Sequence, residues 1–243
     1  MNSGIVFLLV PVLLSVSAMN VSGGDSLSGD YLRAELLEQL PNAGVERVYY
    51  SGPGTLTISQ GDRAEVRVEA SEAIRASVVI EVSDGVLFIE TPVDTVAGEL
   101  HVKVILASVS EVVSDGNNVI KVENLTADRL SLEASGPGSV LITALQANEL
   151  NVTGSCGAAF SLSGNVNRQV LDLADHGLYQ ARQLVSRSVE AKVVGGGVIL
   201  LQVDDLLDVR VAGAANVRYA GSPFVSQRVS GPGSVKPVAE IFI

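Results

Sequence analysis

The phrase Ser-Gly-Pro-Gly occurs three times, at Ser51–Gly54, Ser135–Gly138 and Ser230–Gly233, each time between short apolar runs. Glycine accepts positive φ and leaves no Cβ in the way, and proline fixes its own φ inside the turn. The phrase therefore marks a sharp corner that the chain makes again and again. Aligning each unit on the residue that follows its strand gives the anchors Asp115, Gly136, Gly154, Asp175, Gly195, Gly213 and Gly231, at spacings of 21, 18, 21, 20, 18 and 18. The strands leading into them include Leu132-Glu-Ala134, Leu150-Asn-Val152, Leu171-Asp-Leu173, Ala191-Lys-Val193 and Val209-Arg-Val211. A period near 20 with short strands and no helix in the unit describes a solenoid, in which each coil buries its inward residues only against the coils beside it. The expected fold is an all-β parallel β-helix with coils of about 18–21 residues, and a β-sandwich with tight turns is the rival that the sustained spacing disfavours. The corner residues of this reading are Gly52, Gly54, Gly136, Gly138, Gly154, Gly195, Gly213, Gly231 and Gly233.

The core of such a coil must be narrow, and the composition suits it. Of 243 residues 47% are hydrophobic, yet there are only five Phe, five Tyr and no Trp, which leaves Val, Leu, Ile and Ala to fill the interior. The net charge of −11 argues against nucleic acid, whose phosphates need clustered Lys and Arg, and against a basic patch for anionic lipid. Cys156 is the single cysteine, so no intrachain disulfide forms, and with only His101 and His176 beside it a structural zinc site is not expected. No cofactor is expected.

Residues Ile5 to Val16 form an apolar run broken by Pro11, followed by Val16-Ser17-Ala18. This predicts a signal peptide over residues 1–18 that is cut after Ala18, with an uncleaved anchor as the alternative. Membrane contact is expected through this segment alone. Residues 19–43 read as a Gly- and Ser-rich linker and a short amphipathic helix carrying Leu32, Leu36, Leu37 and Leu40, stopped by Pro41. The β-helix domain then spans 44–243. Within it Glu65–Ala70 alternates as a half-buried strand, Ser83-Asp84-Gly85 marks a hairpin between Val78–Val82 and Val86–Glu90, and Leu100–Leu106 is a strand with His101 and Lys103 outward.

Some β-helices that act on acidic polysaccharides are enzymes, and such a site needs convergent carboxylates. The candidates are Asp204 and Asp205 with Asp208, and Asp172 with Asp175 and His176. Adjacent Asp204 and Asp205 face opposite ways in a strand, and Asp175-His176-Gly177 reads as ordinary turn chemistry, so no catalytic residue is assigned. Tyr179, Tyr219 and Phe224 are the aromatics that a glycan site would use, with core packing as their other reading. Ser131, Asn151, Asp172, Lys192 and Arg210 are expected to stack as one outward polar row. The apolar end, Ala239–Ile243, is expected to pair as a last strand or to leave an edge open for association.

The stretch Gly52-Pro-Gly54-Thr-Leu56-Thr-Ile58, the strand Val66–Ala70, the Asp84-Gly85 hairpin and the Ser-Gly-x-Gly coils together resemble the putative auto-transporter adhesin head GIN domain family of bacterial envelope proteins, over roughly residues 44–240. Its Gly-Ile-Asn-like turns correspond loosely to Gly164–Asn167 and Gly213–Val217, and Ser114–Asn117 replaces one Gly-Pro-Gly turn. The resemblance implies a right-handed β-helix exported to the periplasm or cell surface, with no enzymatic activity. The expected role is a non-catalytic adhesin-like or binding module for an unknown envelope protein or glycan. The alternative is a structural component of the envelope that self-associates through the β-helix ends, and a polysaccharide-active enzyme is the third reading.

Overall fold

The computed structural model describes residues 44–91, 99–175 and 177–238. The expected signal peptide, the linker with its helix, His176 and the terminal Ala239–Ile243 lie outside the described residues. The rest is a parallel β-solenoid of about six turns. Its first two strands, β1 (Arg47–Ser51) and β2 (Gly54–Gln60), are separated by the first Gly-Pro-Gly corner. There follow β3 (Glu65–Glu69), the single-turn helix α1 (Glu72–Arg75), β4 (Val79–Ser83), β5 (Val86–Glu90), β6 (His101–Leu106), β7 (Glu111–Asp115) and β8 (Asn118–Glu123). The regular coils are built from β9 (Thr126–Ser135), β10 (Ser139–Ser155), β11 (Ala159–Ala174), β12 (Gly177–Gly195) and β13 (Gly197–Gly213), and β14 (Asn216–Ala220), β15 (Phe224–Ser230) and β16 (Ser234–Pro237) finish the stack.

Residues of the same position in successive coils stand in columns. One inward column runs Leu56, Ile120, Val140, Phe160, Tyr179, Ile199, Val217 and Val235. Another runs Val48, Val112, Leu132, Val152, Leu171, Ala191 and Val209. Parallel pairing puts like beside like, so alternation that looks modest within one strand becomes a continuous apolar core down the axis. The rings of Phe160 and Tyr179, from adjacent coils, meet in this core with centroids 5.9 Å apart.

The first two described strands are not at the end of the stack. β1 pairs in parallel with both β5 and β7, and β2 with both β6 and β8, so the first coil is enclosed between two later ones. β3 and β4 then close that end as antiparallel strands on β6 and β5. The hairpin expected at Asp84-Gly85 joins β4 to β5, with φ of 51° and 74° at these residues. Two positive φ values in a row make the tight turn whose twist matches an antiparallel pair. His101 and Lys103 project outward from β6.

The corner reading needs one correction. Gly154 does not turn the chain: it lies inside β10, and a Cβ there would meet the Phe160 ring at 2.7 Å and Leu173 at 3.1 Å. Glycine at 154 makes room for that ring. The corner comes two residues later, at Cys156, just as the corner assigned to Asp115 falls at Gly116. The positive-φ residues at this corner of successive coils are Gly116, Gly136, Cys156, Asp175, Gly195, Gly213 and Gly231, and Gly52 takes the same place in the enclosed coil. Their spacings, 20, 20, 19, 20, 18 and 18, are more even than the sequence alignment suggested. Aspartate tolerates the left-handed region better than most residues, and Asp175 Oδ2 also accepts the Cys156 backbone N–H at 3.3 Å. The single outward row expected for five polar residues splits for the same reason. Ser131 and Asn151 stand beside Val170, Glu190 and Asp208, while Asp172, Lys192 and Arg210 form the row two residues on.

At the enclosed coil, Tyr50 donates from its hydroxyl to the Pro53 carbonyl at 3.0 Å, with Thr91 beside it bonded to the same carbonyl at 2.7 Å. Burial pushes the Tyr50 phenol up from 10.0 to about 12. A folded-state value above the unfolded one means stability that is complete below pH 10 and falls as the pH rises from 10 towards 12. Urea denaturation midpoints across that window are expected to fall less steeply in Tyr50→Phe than in the parent. Equal slopes would show that this hydroxyl is not linked to alkaline unfolding.

Candidate binding face

Outward residues are polar along most of the solenoid, and the glycine corner shows where this changes. The pairs that flank it are Ser51 and Thr55, then Ser135 and Ser139, and in the last coil Ser230 and Ser234. In the three coils of β11, β12 and β13 the flanking residues are instead Ala174 and Leu178, Val194 and Val198, and Ala212 and Asn216. Leu178, Val194 and Val198 are 38%, 43% and 40% exposed. Between them the corner carries Gly195-Gly196-Gly197, which adds no side chain. The product is a low apolar ridge along this corner of the rod.

Beside the ridge lies a cleft of about 170 Å³, lined by Val170, Asp172, Glu190, Lys192, Asp208 and Arg210. Strand alternation sends these side chains outward while Leu171, Ala191 and Val209 point into the core. Lys192 pairs with Asp172 at 2.9 Å, Arg210 with Asp208 at 3.4 Å, and Glu190 with Arg168 at 3.1 Å. All these groups are well solvated, and exposed pairs of this kind contribute little to stability, about 0–1 kcal/mol each. Their effect is to display both charge signs at fixed spacing on a stiff sheet.

Of the carboxylates considered for catalysis, Asp172 and Asp208 reach the same cleft, each paired there with its own cation, while Asp205 and Asp175 are engaged elsewhere. Asp205 is held by Arg187 at 2.6 Å, Asp208 by Arg210, Asp172 by Lys192, and Asp175 is occupied with the Cys156 amide. Among the described residues no group of three or more His, Cys, Asp and Glu side chains could hold a metal ion. Of the aromatics, Tyr179 is buried and its hydroxyl donates to Gln169 Oε1 at 2.7 Å, Tyr219 packs against the core, and Phe224 is 75% exposed near the C-terminal end. Sequence reasoning missed the ridge. Its members are spread over 25 residues, from Ala174 to Val198, and become neighbours only when the coils stack.

These features define a class: parallel β-solenoid proteins that present a mixed polar and apolar outer face on a rigid, repetitive core. The chain belongs to the family described as "Putative auto-transporter adhesin, head GIN domain", whose model matches residues 46–223. No curated protein matches it significantly. Among solved structures it is similar to one described as a putative adhesin from Bacteroides fragilis, with a TM-score of 0.75 at 23% identity over 80% of this chain and 92% of that one. It is also similar to one described as a putative lipid binding protein from Parabacteroides distasonis, at a TM-score of 0.65, 18% identity and coverages of 80% and 93%. A third, described as a putative adhesin from Parabacteroides merdae, has a TM-score of 0.61 at 19% identity, with coverages of 80% and 92%. At these identities the likeness is one of fold.

Proposed function

We propose that this chain is an exported protein of the bacterial envelope that works as a non-catalytic binding module, and that it engages a protein partner through the ridge and cleft on β11, β12 and β13. The observation that carries this reading is the replacement of polar by apolar residues at Leu178, Val194 and Val198, next to paired charges of both signs. Protein interfaces combine an apolar centre with a charged rim that selects the partner. Sugar sites rely on aromatic platforms, and this face has none, because Tyr179 is in the core. The family and the similar structures named as adhesins support a binding role.

The test places a photo-crosslinking amino acid at Val194, or at Thr57 on a distant coil, in the full chain in its host. The expected result is one discrete protein adduct from Val194 in the envelope fraction and none from Thr57. Val194→Glu with Val198→Glu should weaken co-purification of that partner about tenfold or more, since two buried carboxylates would stand unpaired at the contact. Adducts from both positions, or a charged variant that binds as the parent does, would remove the face from consideration. A chain that stays in the cytoplasm would overturn the envelope assignment.

A further inference from the structure

The charge of this protein is not evenly spread. From Val209 to Val238 the chain carries Arg210, Arg218, Arg228 and Lys236 and no Asp or Glu, although its overall net charge is −11. Arg228 and Lys236 lie on the last described coil, β15 and β16, which holds no carboxylate, and Arg210 and Arg218 lie on the coil beneath it, where β13 also carries Asp204, Asp205 and Asp208. Arg210 and Arg228 share one outward row, and Arg218 and Lys236 share another. At the opposite end, β3, α1, β4 and the hairpin carry Glu65, Glu69, Glu72, Glu81 and Asp84 against Arg67 and Arg75. The solenoid thus has a cationic end and an acidic end.

Both ends also present open strand edges. Among the described residues β15 pairs only with β13, β16 only with β14, β3 only with β6 and β4 only with β5. Such edges are templates for further pairing. The columns show what that pairing would bring together. The outward row that begins at Glu81 continues through Phe88, Tyr49, Val113, Glu133, Thr153, Asp172, Lys192 and Arg210, and ends at Arg228. The inward column that begins at Ile80 ends at Val229, and the one that begins at Val68 ends at Val235. Val229 is 39% exposed, and Ile80, Val68 and Val235 are only partly buried.

We propose that the cationic C-terminal end of one copy docks on the acidic β3–β4 end of a second copy, so that the solenoid continues head to tail. One coil step beyond β15, Arg228 meets Glu81 of the next copy, Val229 meets Ile80 and Val235 meets Val68. Lys236 comes opposite Arg67, with Glu65 and Glu69 on either side of it along β3. Glu81 and Arg228 have no ion-pair partner among the described residues, so each is available. β3 and β4 run against the coil direction, so both new ladders are antiparallel. The connection from β3 to β4 that carries α1 leaves and re-enters at the glycine corner. It therefore falls over Gly231-Pro232-Gly233, where there is little side chain to obstruct it. A tail-to-tail pair would set Arg228 and Lys236 against the same cations of the second copy. An anionic membrane would attract the cations but offers the open strand edges no ladder to pair with.

Sedimentation velocity of the full chain over a range of concentrations tests this. The expected result is an open series of species whose mean mass rises with concentration and falls with added salt. Arg228→Glu alone and Glu81→Arg alone should each weaken association about tenfold or more, and the doubly changed chain should recover most of it. Both residues are exposed, so circular dichroism melts of the variants should match the parent. Association that closes at a dimer, or that ignores both substitutions, would overturn the proposal. So would a monomer at every concentration. Assembly that appears only after deletion of residues 239–243 would assign the open end to the chain's own tail. Binding to phosphatidylglycerol vesicles by a chain that never self-associates would assign it to a lipid surface.

Discussion

Replacing Gly213 by alanine is expected to destabilise the protein by about 3–5 kcal/mol, the sum of left-handed backbone strain and a backbone overlap that cannot relax locally. Gly213 has φ of +128°, a conformation that L side chains rarely adopt. A Cβ built there would overlap the carbonyl oxygen of Gly195 and lie 3.0 Å from both its carbonyl carbon and its Cα. The atoms it meets are main chain, so no rotamer change relieves the contact. The Gly195 carbonyl is also in use, accepting the Ala214 N–H at 2.7 Å. The strain would thus reach the coil below as well as the corner itself. Chemical denaturation of Gly213→Ala against the parent measures it, with Ala212→Ser, an exposed outward change one residue away, as the control. A loss under about 1 kcal/mol would mean that the corner can open without disturbing its neighbour.

The second large effect is expected inside the core, at a buried polar cluster shared by β11 and β12. Gln169 is fully buried in the column that otherwise holds Leu130, Leu150, Val189 and Leu207. Its Oε1 accepts the Tyr179 hydroxyl at 2.7 Å, and its Nε2 donates to Ser186 Oγ, which also lies 3.3 Å from the Leu184 carbonyl. No buried side-chain polar atom is left unpartnered among the described residues, and this cluster is part of the reason. Tyr179→Phe removes one donor and leaves a buried amide oxygen bare, at about 1–3 kcal/mol. Gln169→Ala does more, because it strips Tyr179 and Ser186 together and leaves a cavity, about 3–5 kcal/mol in all. The triple change Tyr179→Phe, Gln169→Leu and Ser186→Ala replaces the polar set with apolar groups and should recover most of the loss. Additive losses across these variants would show that the three residues act separately and not as one network.

The two effects differ in how far the sequence announces them. Corner glycines recur at a period, and a period is a property of the chain. The period, the alternation within each coil and the scarcity of aromatics are sufficient for a narrow parallel solenoid, and the Asp84-Gly85 hairpin follows from local backbone preference. These are short-range facts, since each depends on residues within about one coil of each other. The displacement of the corner from Gly154 to Cys156 is the point where local reading fails. A residue other than glycine turns the chain here because its neighbours hold it, and Asp175 in the next coil helps to hold Cys156 by its N–H.

Three things were decided only by the tertiary structure. The enclosure of β1 and β2 between later coils depends on which edges meet, and every parallel strand offers the same backbone groups, so the choice rests on side-chain fit across distant segments. Gln169 has the inward parity of Leu171 and Leu173, but its polar group is satisfied there only because Tyr179 and Ser186 arrive beside it. The apolar ridge and the two charged ends arise because stacking turns separation along the chain into a few ångströms across it. The sequence by itself determined the coil, through periodic local preference. Which coil lies beside which, and therefore what each face of the rod displays, was decided by non-local packing.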